Sequence, residues 1–316
     1  MRVAIVGAGS VGRAVLAQAP RRGHTVVAVA DSSGAAVDPG GLDPAAVLAH
    51  KERTGQVGAA DPEALFDTSY DVLVEATPTT LESAEPAFGH IARALTADRD
   101  VVLANKGPVA ERYADLRALV ETSAGRIRFE ATVAGAIPVM ATIAAYGPAE
   151  VTGVRGVLNG TANFILSRMA AESLAYDHVL AEAQELGVAE ADPSFDVEGT
   201  DAALKCVILA NVLSQDDRVY RLADAAVTGI EAIPPSAHKA AREAGMTIRL
   251  IGEVGPSGVR VGPRLLAVDD PLAVTGTENI VRLEVADAGP MHLAGRGAGG
   301  PETAAAVLAD IDRLAS

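Results

Sequence analysis

Five carboxylates and one ammonium carry the first chemical signal in this sequence. Glu190, Asp192, Asp196, Glu198 and Asp201 fall within twelve residues, and Lys205 follows four residues later. Acidic residues are common in solvated loops and in the first turn of helices, so their density alone assigns nothing. A calcium loop does not fit. Counted from Asp192, the sixth position is Val197 instead of glycine and the twelfth is Ala203 instead of glutamate. The helix that follows is more informative, and Thr200 is expected to cap it. From Ala202 to Leu213 it is apolar on nearly every face, the signature of burial, yet Lys205 lies inside that run. A buried ammonium is costly unless paired, and Asp201 stands one turn earlier on the same face. At a surface such a pair contributes only about 0.3–0.5 kcal/mol. Buried, it makes a positioned proton donor with an orienting carboxylate. Desolvation disfavours a charged amine and so brings it nearer the working range of an acid–base catalyst. A purely structural ion pair is the alternative.

The second signal is Gly7-Ala8-Gly9-Ser10-Val11-Gly12, between an N-terminal apolar run and a helical stretch. In a dinucleotide site the first glycine makes the tight turn and the second lets the backbone approach a pyrophosphate. The third lets helix and strand pack closely. The anion then sits at the helix N-terminus, where uncapped N–H groups and the helix dipole favour negative charge. Asp31 ends the next apolar run 19 residues after Gly12, the place of a carboxylate that binds the adenosine ribose. Asp31 favours NAD, because a carboxylate repels a 2′-phosphate. Ser32, Ser33 and Lys51 are candidate phosphate ligands should the loop fold back, which leaves NADP open.

These residues need a scaffold, and the apolar patterning supplies one. Runs at 3–6, 26–29, 72–75, 101–104 and 127–129 read as strands rich in β-branched residues. Helical patterns lie between them at 10–21, 43–51, 82–96 and 109–123. That alternation predicts a parallel sheet with helices on both faces. After about residue 135 the rhythm changes. Helices at 161–171, 175–186 and 200–213 are expected first, then strands at 248–254, 259–261 and 280–285, an α+β arrangement. A last amphipathic helix at 302–315 follows the cluster Gly295, Gly297, Gly299 and Gly300. It is expected to return to the first domain, with its preceding loop placed to close over a bound cofactor. The expected division is 1–135 with 295–316 as the dinucleotide-binding domain, and 136–294 as the substrate-binding and dimerisation domain.

Composition narrows the classes. A chain of 316 residues suits two domains. Its formal charge of −15 argues against nucleic acid, which requires basic patches. No apolar run reaches the roughly 18 residues of a membrane span, and residues 3–6 are too short a run for a signal peptide, so a cytoplasmic protein is expected. The single cysteine, Cys206, excludes intramolecular disulfides and multi-cysteine metal sites. Only Lys51, Lys106, Lys205 and Lys239 are lysines, which makes each conspicuous.

The segment from Ala183 through Lys205 resembles the signature of the homoserine dehydrogenase family. Ala183, Gly187, Asp192, Pro193, Asp196, Gly199, Asp201 and Lys205 meet its fixed positions. Asn105-Lys106 is similar to the family's Asn-Lys step, and the segment Glu130 to Pro138 to its Glu-Ala-x-Val stretch. Asn159-Gly160-Thr161 resembles its Asn-Gly-Thr turn. Gly297-Ala298-Gly299-Gly300, with Thr303-Ala304, resembles its C-terminal loop. Together the matches span nearly the whole chain, without length for the regulatory C-terminal domain that some members carry.

The resemblance implies an α/β fold, with a Rossmann-type dinucleotide-binding domain joined to an α+β catalytic and dimerisation domain. It implies reversible NAD- or NADP-dependent interconversion of L-aspartate 4-semialdehyde and L-homoserine, in threonine, methionine and isoleucine biosynthesis. By the same resemblance Lys205 is the general acid/base, Lys106 shares the proton relay, and Glu190, Asp196, Asp201 and Thr161 bind substrate. Gly7, Gly9, Ser10, Val11, Gly12, Asp31, Thr77, Pro78, Asn105, Lys106, Gly187 and Gly299 are assigned to the cofactor. Backbone carbonyls of Glu130, Val133, Gly135 and Ile137 are assigned to a monovalent cation, sodium. A homodimer is implied. Ala136 and Phe164 depart from the family's common glycine and tyrosine, and Ala30 stands where NADP-preferring members carry arginine.

Two other readings compete. A phosphorylating aldehyde dehydrogenase needs an activated thiolate, for which Cys206 is the only candidate. A non-catalytic dinucleotide sensor keeps the fold but not the reaction.

Overall fold

Val3, Ala4, Ile5, Val72, Leu73, Val74, Val101, Val102 and Leu103 are all fully buried. Strands buried on both faces belong to a covered, mainly parallel sheet. The structure is a computed structural model, and it describes residues 1–216 and 218–316. Contacts divide the chain into Met1–Ala136 with Ala298–Ser316, and Ile137–Gly297.

The first unit runs β1 (Arg2–Val6), α1 (Ser10–Gln18), β2 (Thr25–Asp31), β3 (Gly34–Val37), α2 (Pro44–Thr54), β4 (Val72–Glu75), α3 (Ala87–Thr96), β5 (Asp100–Leu103), α4 (Gly107–Glu111), α5 (Tyr113–Glu121) and β6 (Ile127–Arg128). Its six-stranded sheet has the order β3-β2-β1-β4-β5-β6. All neighbours are parallel except β2 and β3. The strand order reverses between β1 and β4, where open α/β sheets bind ligands at their carboxyl ends.

The second unit runs α6 (Val139–Tyr146), β7 (Val151–Val157), α7 (Gly160–Glu172), α8 (Tyr176–Glu185), α9 (Ser194–Val197), α10 (Thr200–Leu213), β8 (Ala226–Val227), α11 (Pro235–Glu243), β9 (Met246–Gly255), β10 (Gly258–Ala267), β11 (Glu278–Val285) and β12 (Gly289–Arg296). Its sheet has the order β12-β11-β7-β9-β10-β8. It is antiparallel apart from the β10–β8 pair. Helix α10 is buried from Asp201 through Asn211. A Cβ on Gly252 of β9 would lie 2.5 Å from Cys206 Sγ, so only glycine lets α10 and the sheet come this close. The chain ends in α12 (Gly300–Ala315), whose Val307, Leu308, Ile311 and Leu314 join Val15 and Leu16 of α1 in the first unit's core.

The structure corrects several expectations. Thr200 is the first residue of α10, and Gly199 is its N-cap, at φ 91. The turn from α9 into α10 requires left-handed backbone, which glycine takes without strain. The helix expected from 82 begins at Ala87, because Glu82 and Ala84 have left-handed backbone. The helix expected at 109–123 starts earlier, at Gly107, and breaks at Arg112, whose φ of −124 is not helical. The first sheet carries an antiparallel edge strand, β3. The second unit does not open on helices alone, since β7 precedes α7 and lies centrally between β11 and β9. Gly153 and Gly156 interrupt the apolar alternation of β7. A Cβ on Gly156 would lie 2.5 Å from the Ile280 carbonyl oxygen, so that glycine answers to the neighbouring strand. Strand β10 runs well past the expected 259–261, and β12 carries no strand signal because none of its residues is buried and Gly289, Pro290 and Gly295 break its apolar pattern.

Candidate active site

In the first unit the glycine turn joins β1 to α1. Gly7 has φ 98, and a Cβ there would lie 2.4 Å from the Ala76 carbonyl carbon. A Cβ on Gly12 would lie 1.8 Å from the Gly7 carbonyl oxygen, so α1 packs directly on the turn. A Cβ on Gly9 would meet nothing within 4 Å. The backbone there faces open space, and no side chain caps α1. Its first N–H groups, those of Ser10 and Val11 among them, are thus uncapped by side chains among the described residues, as an anion at a helix N-terminus requires. The residues present fit a dinucleotide. Gly299, at φ 119, caps α12, and a Cβ on Gly300 would lie 2.8 Å from the Ser10 carbonyl oxygen. The C-terminal glycines therefore abut the start of α1.

Asp31 ends β2. Its Oδ2 lies 2.6 Å from Lys51 Nζ, and its Oδ1 accepts from the Ser33 backbone N–H at 2.9 Å and from the Ser33 hydroxyl. Partial burial pushes this carboxyl up, but the hydrogen bonds from Lys51 and Ser33 outweigh it, and the group sits below the usual carboxylate range. Lys51 and Ser33, candidates for a 2′-phosphate, are both engaged by the carboxylate. After β4, Thr77 and Pro78 meet the turn after β5. Asn105 Nδ2 donates to Thr77 Oγ1 at 3.1 Å and to the Pro78 carbonyl at 3.0 Å. Lys106 follows at the start of α4, its backbone N–H 3.4 Å from Thr79 Oγ1.

Around residues 130–137, the Val133 N–H donates to the Glu130 carbonyl at 3.2 Å, and the Val139 N–H to the Ile137 carbonyl at 2.8 Å. Ala134 and Gly135 are both left-handed, at φ 57 and 56. A donor set of backbone carbonyls suits a hard monovalent cation.

The second unit holds the ionised cluster. Lys205 is 6% exposed and Asp201 7%. Lys205 Nζ donates to Asp201 Oδ2 at 2.7 Å and to the Leu158 carbonyl. Asn159, at the end of the turn after β7, donates from Nδ2 to Asp196 Oδ1 at 2.6 Å and to Asp201 Oδ2 at 2.9 Å. Its Oδ1 caps α7, accepting from the Ala162 N–H at 2.8 Å. One amide thus ties Asp196 of α9 to Asp201 of α10. The sequence pattern alone assigns Asn159 no role; its N-cap position before Gly160-Thr161 is the signal that marks it. Thr161 Oγ1 donates to the Val188 carbonyl at 3.1 Å, which sets it beside the Gly187 turn. Glu190 is exposed, its carbonyl held by Gln184 at 3.1 Å, and no hydrogen bond among the described residues joins its side chain to the cluster.

Cys206 is buried beside Lys205, and burial pushes its thiol up to about 12. Such a thiol is not an activated nucleophile. Among the described residues no group of three or more His, Cys, Asp or Glu could hold a metal ion, and no helix is long and apolar enough to cross a membrane.

Comparison with known proteins adds to this geometry. Residues 138–311 match the profile of homoserine dehydrogenase, and residues 1–87 that of glutamate/leucine/phenylalanine/valine dehydrogenase. The homoserine dehydrogenase of Methanocaldococcus jannaschii is 38% identical, over 98% of this chain and 97% of its own. The NAD(+)-dependent homoserine dehydrogenase of Pseudomonas canavaninivorans is 37% identical, over 81% of this chain and 74% of its own. A hyperthermophilic archaeal homoserine dehydrogenase, solved in complex with NADPH, matches with a TM-score of 0.84 at 26% identity, covering 99% of this chain and 97% of that one.

Proposed function

The chain belongs to the homoserine dehydrogenase family, and from that premise we propose that it interconverts L-aspartate 4-semialdehyde and L-homoserine with Lys205 as general acid and base. It is an NAD(P)-dependent oxidoreductase. The observation that carries the role of Lys205 is its buried ammonium. An ammonium has three N–H donors, and among the described residues Asp201 and the Leu158 carbonyl take two. The third is left for a substrate oxygen.

When bound, the nicotinamide supplies or takes up the hydride. The protein's part is proton transfer and charge stabilisation. In reduction, Lys205 donates a proton to the aldehyde oxygen as negative charge develops there. In oxidation, the neutral amine removes the hydroxyl proton of homoserine. Asp201 holds Nζ in place throughout, and Asn159 holds Asp201. Lys106 shares the proton relay in this reading. Glu190, Asp196 and Asp201 provide the negative field that suits a substrate bearing an ammonium group, and Thr161 contacts substrate.

The cofactor assignment covers Gly7, Gly9, Ser10, Val11, Gly12, Asp31, Thr77, Pro78, Asn105, Lys106, Gly187 and Gly299. The Lys51–Asp31 pair supports NAD, since it leaves Asp31 ionised to face a ribose hydroxyl. NADP use remains part of the proposal. The carbonyls of Glu130, Val133, Gly135 and Ile137 would hold sodium, and thermal unfolding in sodium against a bulky organic cation tests that assignment. The reading includes a homodimer, tested by sedimentation, and a cytoplasmic place in amino-acid biosynthesis.

The deciding experiment is oxidation of L-homoserine by purified protein with NAD and NADP in turn. Reduction of either cofactor is the expected result. Cofactor binding without turnover would replace this reading with that of a dinucleotide sensor.

A further inference from the structure

Glu75 is the last residue of β4, and its neighbours Val72, Leu73 and Val74 show what such a buried strand ordinarily carries. Yet Glu75 is itself 0% exposed. A carboxylate is costly to bury unless its oxygens are hydrogen-bonded, and here only one oxygen is well served. Oε1 accepts from the Thr77 hydroxyl and from the Thr77 N–H at 3.3 Å. Oε2 is buried without a hydrogen-bond partner among the described residues. The imidazole of His90, on α3, lies beside it, with Nδ1 3.5 Å from Oε1 and also without a hydrogen-bond partner there.

The carboxylate gives the neighbouring contacts a direction. The Thr77 hydroxyl donates to Oε1. The hydroxyl oxygen is then free to accept from Asn105 Nδ2 at 3.1 Å. Asn105 is 1% exposed; its other donor bond goes to the Pro78 carbonyl, and its Oδ1 accepts from the Gly107 N–H at 2.9 Å. A Cβ on Gly7 would lie 2.6 Å from the Thr77 nitrogen, so the glycine turn rests on this same segment. One buried side chain therefore stands at the root of the three turns that follow β1, β4 and β5.

We infer that Glu75 is a positioning residue for the cofactor, fixing the Thr77–Pro78 turn and, through Thr77 and Asn105, the turn that carries Lys106. The inference rests on the reading above that a nicotinamide dinucleotide binds at these turns. It explains why a strand otherwise built of Val and Leu ends in a carboxylate with an unsatisfied oxygen. A preorganised site tolerates such a cost, because fixed geometry lowers the entropy lost on binding.

The test is fluorescence titration of substrate-free protein with NADH and with NADPH, alongside thermal unfolding. Glu75→Ala and Thr77→Val are expected to raise the Kd of the preferred cofactor about tenfold or more. Glu75→Gln, which can still accept from Thr77, is expected to recover most of that loss. The double variant Glu75→Gln/Thr77→Val should bind no worse than Thr77→Val alone. A merely structural Glu75 would lower the unfolding temperature and leave Kd unchanged. Should Glu75→Ala fail to fold, Glu75→Met decides, since it fills a similar volume without accepting from Thr77: a Kd within twofold of the parent overturns the inference. A parent protein that binds neither cofactor would instead sink the dinucleotide reading, and this inference with it.

Discussion

Lys205 Nζ lies 2.7 Å from Asp201 Oδ2, one helical turn away, with both side chains withdrawn from solvent. Asp201 is also bonded by Asn159, whereas the other acceptor of Lys205 is a backbone carbonyl. The two partners are therefore unequally dependent on each other. Removing Asp201 leaves a buried ammonium with one carbonyl for support, and Asp201→Ala is expected to destabilise by about 3–5 kcal/mol. Lys205→Met, which leaves Asp201 bonded to Asn159, is expected to cost less. Urea denaturation of both variants measures the difference, and the opposite ranking would contradict this account.

Lys205→Ala is expected to lower homoserine turnover by about 10²–10⁴-fold, the usual contribution of a positioned acid–base group. Its Kd for NADH or NADPH should stay within about threefold of the parent, because the cofactor turns belong to other residues. Steady-state rates and fluorescence titration check the two halves. Turnover like that of the parent would remove Lys205 from the mechanism.

Asn159→Ala removes the amide that lies between the Asp196 and Asp201 carboxylates, and with it the cap of α7. Loss of the cap alone costs about 1 kcal/mol. The larger effect is expected in kcat/KM for homoserine, which should fall at least tenfold as the carboxylates repel one another and Asp201 loses its hold. Rates measured well below the unfolding temperature separate the two effects.

Burial holds the Cys206 thiol near 12, so almost no thiolate exists at neutral pH. Iodoacetamide at pH 8 is expected to leave Cys206 unmodified in the folded protein, with homoserine oxidation intact, and to label it after unfolding. Mass spectrometry of the native and denatured protein reads this directly. Rapid native labelling with loss of activity would revive a thiolate mechanism.

Asp31 has its folded-state carboxyl below its usual value of 3.8. A lowered carboxyl stabilises the fold above its unfolded pKa and loses that contribution as pH falls through the folded value. The gap in unfolding temperature between the parent and Asp31→Asn is therefore expected to stay constant from pH 8 to about 5, and to close below about pH 4. The same variant, lacking the negative charge, should use NADP better relative to NAD. Kinetics with both cofactors test this, and an unchanged ratio would show that Asp31 does not discriminate between them.

Much of this was legible in the residues because it is local. The alternation of apolar runs marks β1, β2, β4 and β5, and the all-round apolar character of α10 marks a buried helix. Gly7 and Gly12 fall where a turn and a close helix packing require them, and Gly9 leaves the backbone between them open. Lys205 and Asp201 are four residues apart, a spacing that puts any two helical side chains together. Elements whose existence depends on neighbours were not legible. Strand β7 carries Gly156 because the Ile280 carbonyl lies against it, and β3 and β12 are edge strands with weak patterns of their own.

The sequence alone determined which backbone stretches favour helix or strand and that an acid and a base share one helical face, since periodicity and i,i+4 spacing need no partner. Only the tertiary structure decided that Leu158 and Asn159, 47 and 42 residues before their partners Lys205 and Asp201, complete the cluster. It alone buries Glu75 beneath the Thr77 turn. Such contacts depend on how sheets and helices pack, a sum over the whole chain that no short window of residues contains.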